Sequence, residues 1–370
     1  NNTLREIGPV ARDFGTRALV VTGGNPERAK GLVELLGLHG VAPTLFTVKG
    51  EPDVAVVGEG VESAKAAGCN MVIGFGGGSA LDAAKAIAGM MTNEGRISDY
   101  LEIVGSGRPL MNPGAPFIAV PTTAGSGAEV TRNAVLTSRE HQVKVSLRSP
   151  HLLARVALVD PALALTLTPE LTAATGMDAL SQLIESYVSS RANPLADAMC
   201  EQGIRMVARS LEKVYKNGAD LAAREDMVLA AMMSGMALAN SGLGAVHAFA
   251  APIGAMFDAP HGAVCSVLLP YVWKTNLQAV KSLGIPALAA KFSRVGHLLT
   301  GRREASGDDA FAWLHVLCER LRIPSLATFG VTSGHFQQII ERAQRSSSMK
   351  GNPTELTPAE LETILRLAMQ

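Results

Sequence analysis

At 370 residues the chain is longer than one ordinary core and, at roughly 100–200 residues per domain, is expected to form two domains. Hydrophobic residues make up 47% and charged residues 18%, which excludes a disordered chain. Lys plus Arg and Asp plus Glu each total 33, so the zero formal charge points to no nucleic-acid or anionic-membrane partner, while leaving room for a local phosphate pocket.

The first part alternates strand-like and helix-like segments. Arg17 to Thr22 is a short apolar strand, Gly23 to Pro26 a turn, and Glu27 to about Leu38 a helix. A second strand covers Thr44 to Val48, a second helix Val54 to Ala67, and a third strand Asn70 to Phe75. Further strands are expected at Pro116 to Val120 and Val156 to Val159, with a hairpin pairing Ala134–Thr137 and Lys144–Leu147. Continuous apolar strands alternating with helices predict a parallel sheet covered on both faces.

After about Leu165 the period becomes helical. Thr168-Pro169-Glu170 reads as a helix start, with Thr as N-cap, Pro in the first turn and an acid near the positive end of the helix. Helices are expected around 171–190, 195–215, 221–240, 243–257, 262–274, 284–300, 307–321, 333–345 and 357–368. The expected division is therefore an α/β domain over 1–164 and an all-helical domain over 165–370.

Four cysteines, Cys69, Cys200, Cys265 and Cys318, are scattered without a CxxC pair, and they read as buried free thiols in a reducing compartment. No secretory leader pattern is visible and no apolar run is long enough to span a bilayer, so the expected location is the cytoplasm.

Two loops can carry chemistry in the first domain. Met71 to Lys85 reads MVIGFGGGSALDAAK, an apolar strand running into glycines and then a helix. Unpaired amides and the helix dipole favour an anion there, and glycines let a pyrophosphate approach the main chain. The same residues also fit a tight turn with a capping box formed by Ser79 and Asp82. Pro121 to Thr131 reads PTTAGSGAEVT, whose hydroxyls and Glu129 could bond a ribose, phosphate or carboxamide, or simply make a polar turn.

In the second domain, Asp178 and Gln182 lie four apart in TGMDALSQLIE and so share one helix face. His247 and His261 fall in a very apolar stretch, 242–270. Singly, each histidine fits a satisfied core residue; together with Asp178 they suit a divalent first-row cation such as Fe²⁺ or Zn²⁺.

Taken in order, GGGSALDAAK at 76–85, PTTAGSGAEVT at 121–131, TGMDAL at 175–180, GLGAVH and APHG at 242–247 and 259–262, and GNPTELT at 351–357 resemble the iron-containing alcohol dehydrogenase family over nearly the whole chain. The resemblance implies a Rossmann-like nucleotide-binding domain followed by an all-α domain, an architecture shared with dehydroquinate synthase, with the site in the cleft between. It implies that Gly76, Gly77, Gly78 and Ser79 hold the pyrophosphate of NAD or NADP, that Asp82 lines the cofactor groove, and that Thr122, Thr123 and Ser126 contact the cofactor. Asp178, His247 and His261 become ligands of Fe²⁺, Zn²⁺ or another divalent metal and act in catalysis, with Gln182 as a weak ligand or a holder of water. The implied reaction is reversible hydride transfer between a small alcohol or aldehyde and the nicotinamide, the metal holding the substrate oxygen, in a homo-oligomer such as a dimer.

Three departures stand against the family pattern. Gln182 occupies a usual histidine position, Ala251 replaces a second histidine four residues after His247, and Gly23 or Gly24 stands where many members carry an acid. The altered set keeps a metal-independent reductase of the maleylacetate type and a silent NAD-binding homologue as alternatives. A dehydroquinate synthase-like lyase fits less well, because the cleft segments are apolar.

Overall fold

Strands that are apolar at every position can be buried only where helices cover both faces of their sheet. The structure, a computed structural model that describes residues 1–102, 104–141 and 143–370, has this arrangement in its first part. The elements there are α1 (Ile7–Phe14), β1 (Arg17–Thr22), α2 (Lys30–Leu38), β2 (Ala42–Thr47), α3 (Val54–Ala66), β3 (Met71–Gly76), α4 (Gly78–Met90), β4 (Phe117–Pro121), β5 (Asn133–Ser138), β6 (Val143–Arg148) and β7 (Val156–Ala157). Five strands form a parallel sheet in the order β2-β1-β3-β4-β7, and β5 pairs with β6 as an antiparallel hairpin.

Successive side chains of a strand leave opposite faces. Leu19 and Val21 of β1, with Val72 of β3, accordingly pack with Val57, Leu81, Ala84 and Ile87 from α3 and α4. Ala18 and Val20, with Ile73, pack on the other face with Ile7, Ala11, Leu32 and Leu36 from α1 and α2. The hairpin is fastened to α4 by charge: buried Lys85 donates to Thr131 Oγ1 (2.9 Å) and to the Asn133 carbonyl (2.7 Å), while Asp82 accepts from the Val135 amide (3.1 Å).

In the second part all regular elements among the described residues are helical: α5 (Pro169–Val188), α6 (Pro194–Lys216), α7 (Leu221–Ser241), α8 (Ala245–Phe257), α9 (His261–Leu283), α10 (Pro286–Thr300), α11 (Gly307–Arg320), α12 (Phe336–Arg345) and α13 (Pro358–Ala368), with short 3-10 turns between them. α5 begins as its sequence requires, Thr168 Oγ1 accepting from the Leu171 amide with Pro169 at the first position. From Gly176 to Val188 every residue of α5 is buried, so this helix is surrounded rather than amphipathic, and it touches α6, α7, α9 and α10. α9 continues past the expected end near 274 to Leu283, where Gly284 in the left-handed conformation stops it.

The chain forms two compact units, one of Asn1–Thr123 with Gly127–Ala164, and another of Ala124–Ser126 with Leu165–Gln370. Among the described residues no single helix is long and apolar enough to cross a membrane.

Candidate active site

In a sheet ordered β2-β1-β3-β4, the connections leave in opposite directions on either side of β1 and β3. Ligands of open α/β sheets bind at such a switch point, beyond the carboxyl ends of the strands. Here that place is bounded by Gly23, which follows β1, and by the Gly76-Gly77 turn after β3. A Cβ built on Gly76 would lie 3.4 Å from the Gly23 nitrogen, so the two loops touch. One on Gly77 would lie 3.2 Å from Thr123 Cγ2. The Thr122 amide donates to the Gly76 carbonyl (2.9 Å), which brings the β4 loop alongside.

The N-cap of α4 is Gly77, without a side-chain bond, and Ser79 already lies inside the helix. The capping box read from Ser79 and Asp82 is therefore not formed, and the first amides of α4 are left to a ligand or solvent. Asp82 gives its carboxylate to Lys85 (3.1 Å) and to the Val135 amide, so its visible partners belong to the fastening of the hairpin. Glu129 is buried, and burial pushes its carboxyl above the usual range. Ser126 groups with the helical unit, where a Cβ on neighbouring Gly125 would meet Thr175 of α5 at 2.7 Å. Arg28, a nearby positive charge in the sequence, donates to the Leu163 carbonyl at 2.9 Å.

The second constellation lies wholly in the helical unit. Asp178 comes from α5, His247 from α8, and His261 and Cys265 from α9; one donor atom from each lies within 4.8 Å of all the others. His247 Nε2 is 3.3 Å and His261 Nε2 3.8 Å from Asp178 Oδ1, and Cys265 Sγ is 3.6 Å from His261 Nε2. Glu185, two turns along α5 from Asp178, sets the His247 ring: its Oε2 is 2.6 Å from Nδ1 and its Oε1 accepts from the Val246 amide at 2.6 Å.

The GNPTELT segment holds the start of the same helix, beside Glu185. Asn352 Oδ1 accepts from the Ala245 amide (3.2 Å) at the start of α8. Gly351 has no room for a side chain, since a Cβ there would fall 2.1 Å from the Leu243 carbonyl.

Asp178 Oδ1 and His247 Nε2 are buried and have no hydrogen-bond partner among the described residues. They stand 3.3 Å apart, an ion pair when the ring is protonated but not a hydrogen bond. Leaving such groups without a hydrogen bond costs about 1–3 kcal/mol each, more when charged, and a cation bound between them in place of the ring proton would satisfy both. The charges agree. Burial alone would raise the Asp178 carboxyl, but the His247 and His261 rings hold it below its ordinary value. Burial would also raise the Cys265 thiol, yet the same two rings draw it down. Burial opposes charge on both imidazoles, and the Cys265 sulfur and Asp178 outweigh it, raising His261 and carrying His247 well above its usual value. A carboxylate, two imidazoles and an acidified thiol make a donor set that fits a divalent first-row cation.

Residues 1–161 match the family model described as iron-containing alcohol dehydrogenase, and residues 172–369 match that of the Fe-containing alcohol dehydrogenase family, C-terminal. The chain belongs to the iron-containing alcohol dehydrogenase family. Alcohol dehydrogenase 4 of Saccharomyces cerevisiae is 34% identical over 98% of this chain and 90% of its own length. A solved structure of 1,3-propanediol oxidoreductase superposes with a TM-score of 0.92 at 33% identity, covering 99% of this chain and 96% of that one. Sulfoacetaldehyde reductase from Bifidobacterium kashiwanohense, solved in complex with NAD⁺, gives a TM-score of 0.89 at 28% identity, covering 100% and 95%.

As an iron-containing alcohol dehydrogenase family member the chain is an oxidoreductase with a metal-binding site built from Asp178, His247 and His261. Gln182 lies one turn beyond Asp178, buried, with its amide oxygen accepting from Ser234 Oγ of α7 at 2.6 Å. Glu185 and the place of Cys265 were not read from the sequence. Both had a signal: Glu185 continues the face of Asp178 and Gln182 at i+7, and Cys265 follows His261 at i+4.

Proposed function

We propose that the enzyme transfers hydride reversibly between a small alcohol or aldehyde and NAD(P), with its substrate oxygen held at a divalent cation. The observation that carries this reading is the pair of buried, unpartnered atoms Asp178 Oδ1 and His247 Nε2 beside His261. Asp178, His247 and His261 would hold the cation, and a cation there supplies a Lewis acid for a carbonyl or alkoxide oxygen.

The chain's own residues then divide the work. Gly76, Gly77, Gly78 and Ser79 bind the pyrophosphate at the start of α4, with Thr122, Thr123 and Ser126 as further cofactor contacts and Asp82 at the rim of the groove. Asp178 contributes negative charge, and Glu185 keeps the Nε2 lone pair of His247 directed at the cation. Gln182 takes an outer position or that of a weak ligand, its oxygen accepting from Ser234. Family likeness is what supports a homo-oligomeric, cytoplasmic enzyme. A metal-independent reductase would retain the two buried unpaired atoms with no compensating partner, which disfavours it.

The test is oxidation of NADH and NADPH with a panel of short aldehydes, after loading purified protein with Fe²⁺ or Zn²⁺. Turnover of at least one aldehyde supports the proposal. Cofactor binding with no turnover of any aldehyde in the metal-loaded protein would sink it in favour of a silent homologue.

A further inference from the structure

The cluster holds one donor more than Asp178, His247 and His261 require. We propose that Cys265 Sγ is a fourth protein ligand of the cation and biases the site toward Zn²⁺ over Fe²⁺, an inference that rests on the metal reading above. His261 and Cys265 are four apart on α9 and so project from one face, one turn from each other. Cys265 is fully buried, and its sulfur closes the same group of donors as the two orphaned atoms.

Three of the donor separations lie within about 0.5 Å of a tetrahedron's edges, and the substrate oxygen would enter as a fifth ligand. With metal–N and metal–O bonds of about 2.0–2.1 Å and a metal–S bond of about 2.3 Å, ideal edges are about 3.3–3.4 Å between N or O donors and about 3.6 Å between S and N. The observed separations are 3.3 and 3.8 Å from the imidazoles to Asp178 Oδ1 and 3.6 Å from Sγ to His261 Nε2.

Ligand chemistry favours the sulfur over Gln182, since a thiolate brings its own charge and a soft donor to the cation and a neutral amide brings neither. The amide oxygen of Gln182 is also already bound to Ser234. As the S–metal bond forms, the S–H bond breaks and its proton leaves to solvent, with no change of oxidation state. A soft sulfur donor strengthens binding of Zn²⁺ and Co²⁺ more than that of Fe²⁺.

Co²⁺ added alone to chelator-stripped protein tests the assignment, because a cobalt–thiolate bond has a near-ultraviolet charge-transfer band that oxygen and nitrogen ligands lack. Wild type should show the band. Cys265→Ser should bind Co²⁺ without it, and its Zn²⁺ affinity, measured by competition with a chromophoric chelator, should fall about tenfold or more, with a smaller fall for Fe²⁺ under anaerobic conditions. His261→Ala, which removes a neighbouring donor but not the sulfur, should shift the band and weaken Co²⁺ binding, which assigns the sulfur to this site rather than to Cys69, Cys200 or Cys318. Cobalt bound by wild type without a thiolate band overturns the inference and leaves the metal reading intact. No cobalt binding by wild type overturns both. The wild-type spectrum decides even where Cys265→Ser fails to fold.

Discussion

Glu185 Oε2 lies 2.6 Å from His247 Nδ1, both groups buried, and this contact fixes which imidazole nitrogen is free. With Nδ1–H donating to the carboxylate, Nε2 is left facing Asp178, where a cation would take its lone pair in place of a proton. Glu185→Gln is nearly isosteric, but its amide can donate to Nδ1 and so favour the tautomer with the proton on Nε2. Metal affinity should fall by about 10–100-fold while the fold is kept. Titration calorimetry with Zn²⁺ measures this, and unchanged affinity would show that packing alone orients the ring.

The turn after β3 gives a second prediction. A side chain at Gly77, the N-cap of α4, meets Thr123 at 3.2 Å. Gly77→Val should weaken NAD(P)H binding by about tenfold or more, at least ~1.4 kcal/mol, with an unchanged far-ultraviolet spectrum. Near-native affinity, read from quenching or enhancement of nicotinamide fluorescence, would reduce the turn to a structural stop.

Cofactor choice turns on Gly23. An acid directly after the first strand bonds a ribose 2′-OH and repels a 2′-phosphate. Gly23 offers neither effect, and no atom lies within 4 Å of a Cβ built there, so a side chain can be added without collision. Wild type should accept NADP(H) at least as well as NAD(H). Gly23→Asp should lower kcat/KM for NADP(H) relative to NAD(H) by about tenfold, ~1.4 kcal/mol of discrimination. Arg28 keeps its positive charge while one of its N–H groups donates to the Leu163 carbonyl. A strong NAD preference in wild type would refute the hypothesis.

The fold was legible where a single local pattern dominates. β1, β3 and α5 stand where apolar runs and the Thr168-Pro169 start put them, because their burial is nearly complete and tertiary contacts reinforce local preference. α1 was not anticipated: its apolar Ile7, Val10, Ala11 and Phe14 have helical spacing, but the segment is short and carries Pro9, which the first turn of a helix tolerates. β7 spans only Val156–Ala157 rather than four residues, since an edge strand pairs on one side alone. At the site, Asp178, His247 and His261 were readable as residue types and spacing. Cys265 was not, because a buried thiol and a thiol aimed at a cation look alike until the other donors are placed around it. Glu185 and Asn352 act through hydrogen bonds between residues 62 and 107 positions apart, and no local pattern encodes such pairings.

Stability in acid should depend on Glu201. Arg294 grips both of its carboxylate oxygens, with Tyr187 also donating at 3.0 Å, and the Arg294 hydrogen bonds above all hold this carboxyl below the usual range. Since the folded-state value is lower than the unfolded one of about 4.3, the clamp stabilises fully above that pH and is lost as the pH falls through the folded value. Glu201→Gln should cost about 1 kcal/mol at pH 7. The gap between wild type and variant in urea unfolding should narrow steadily below about pH 4.3. A gap independent of pH would mean that packing between α6 and α10, not the charge, is responsible.

Metal removal separates the catalytic readings. The His261 side chain is 37% exposed, against 6% for Asp178 and His247, so a chelator has a solvent-facing ligand to begin from. Stripped protein should lose aldehyde reduction yet retain nicotinamide binding, because the residues proposed for the pyrophosphate lie on other elements. Adding back Fe²⁺, Zn²⁺, Mn²⁺ or Co²⁺ should restore turnover and also raise Tm, as any ligand of the native state does; at a free concentration 100 times Kd the gain is about 2.7 kcal/mol. His261→Ala should abolish both responses while leaving nicotinamide affinity as it was. The Tm response is the stricter of the two, for it reports binding without reference to substrate choice. Full activity in protein shown to be metal-free would transfer the enzyme to the metal-independent reductases and leave the buried atoms of Asp178 and His247 without their proposed partner.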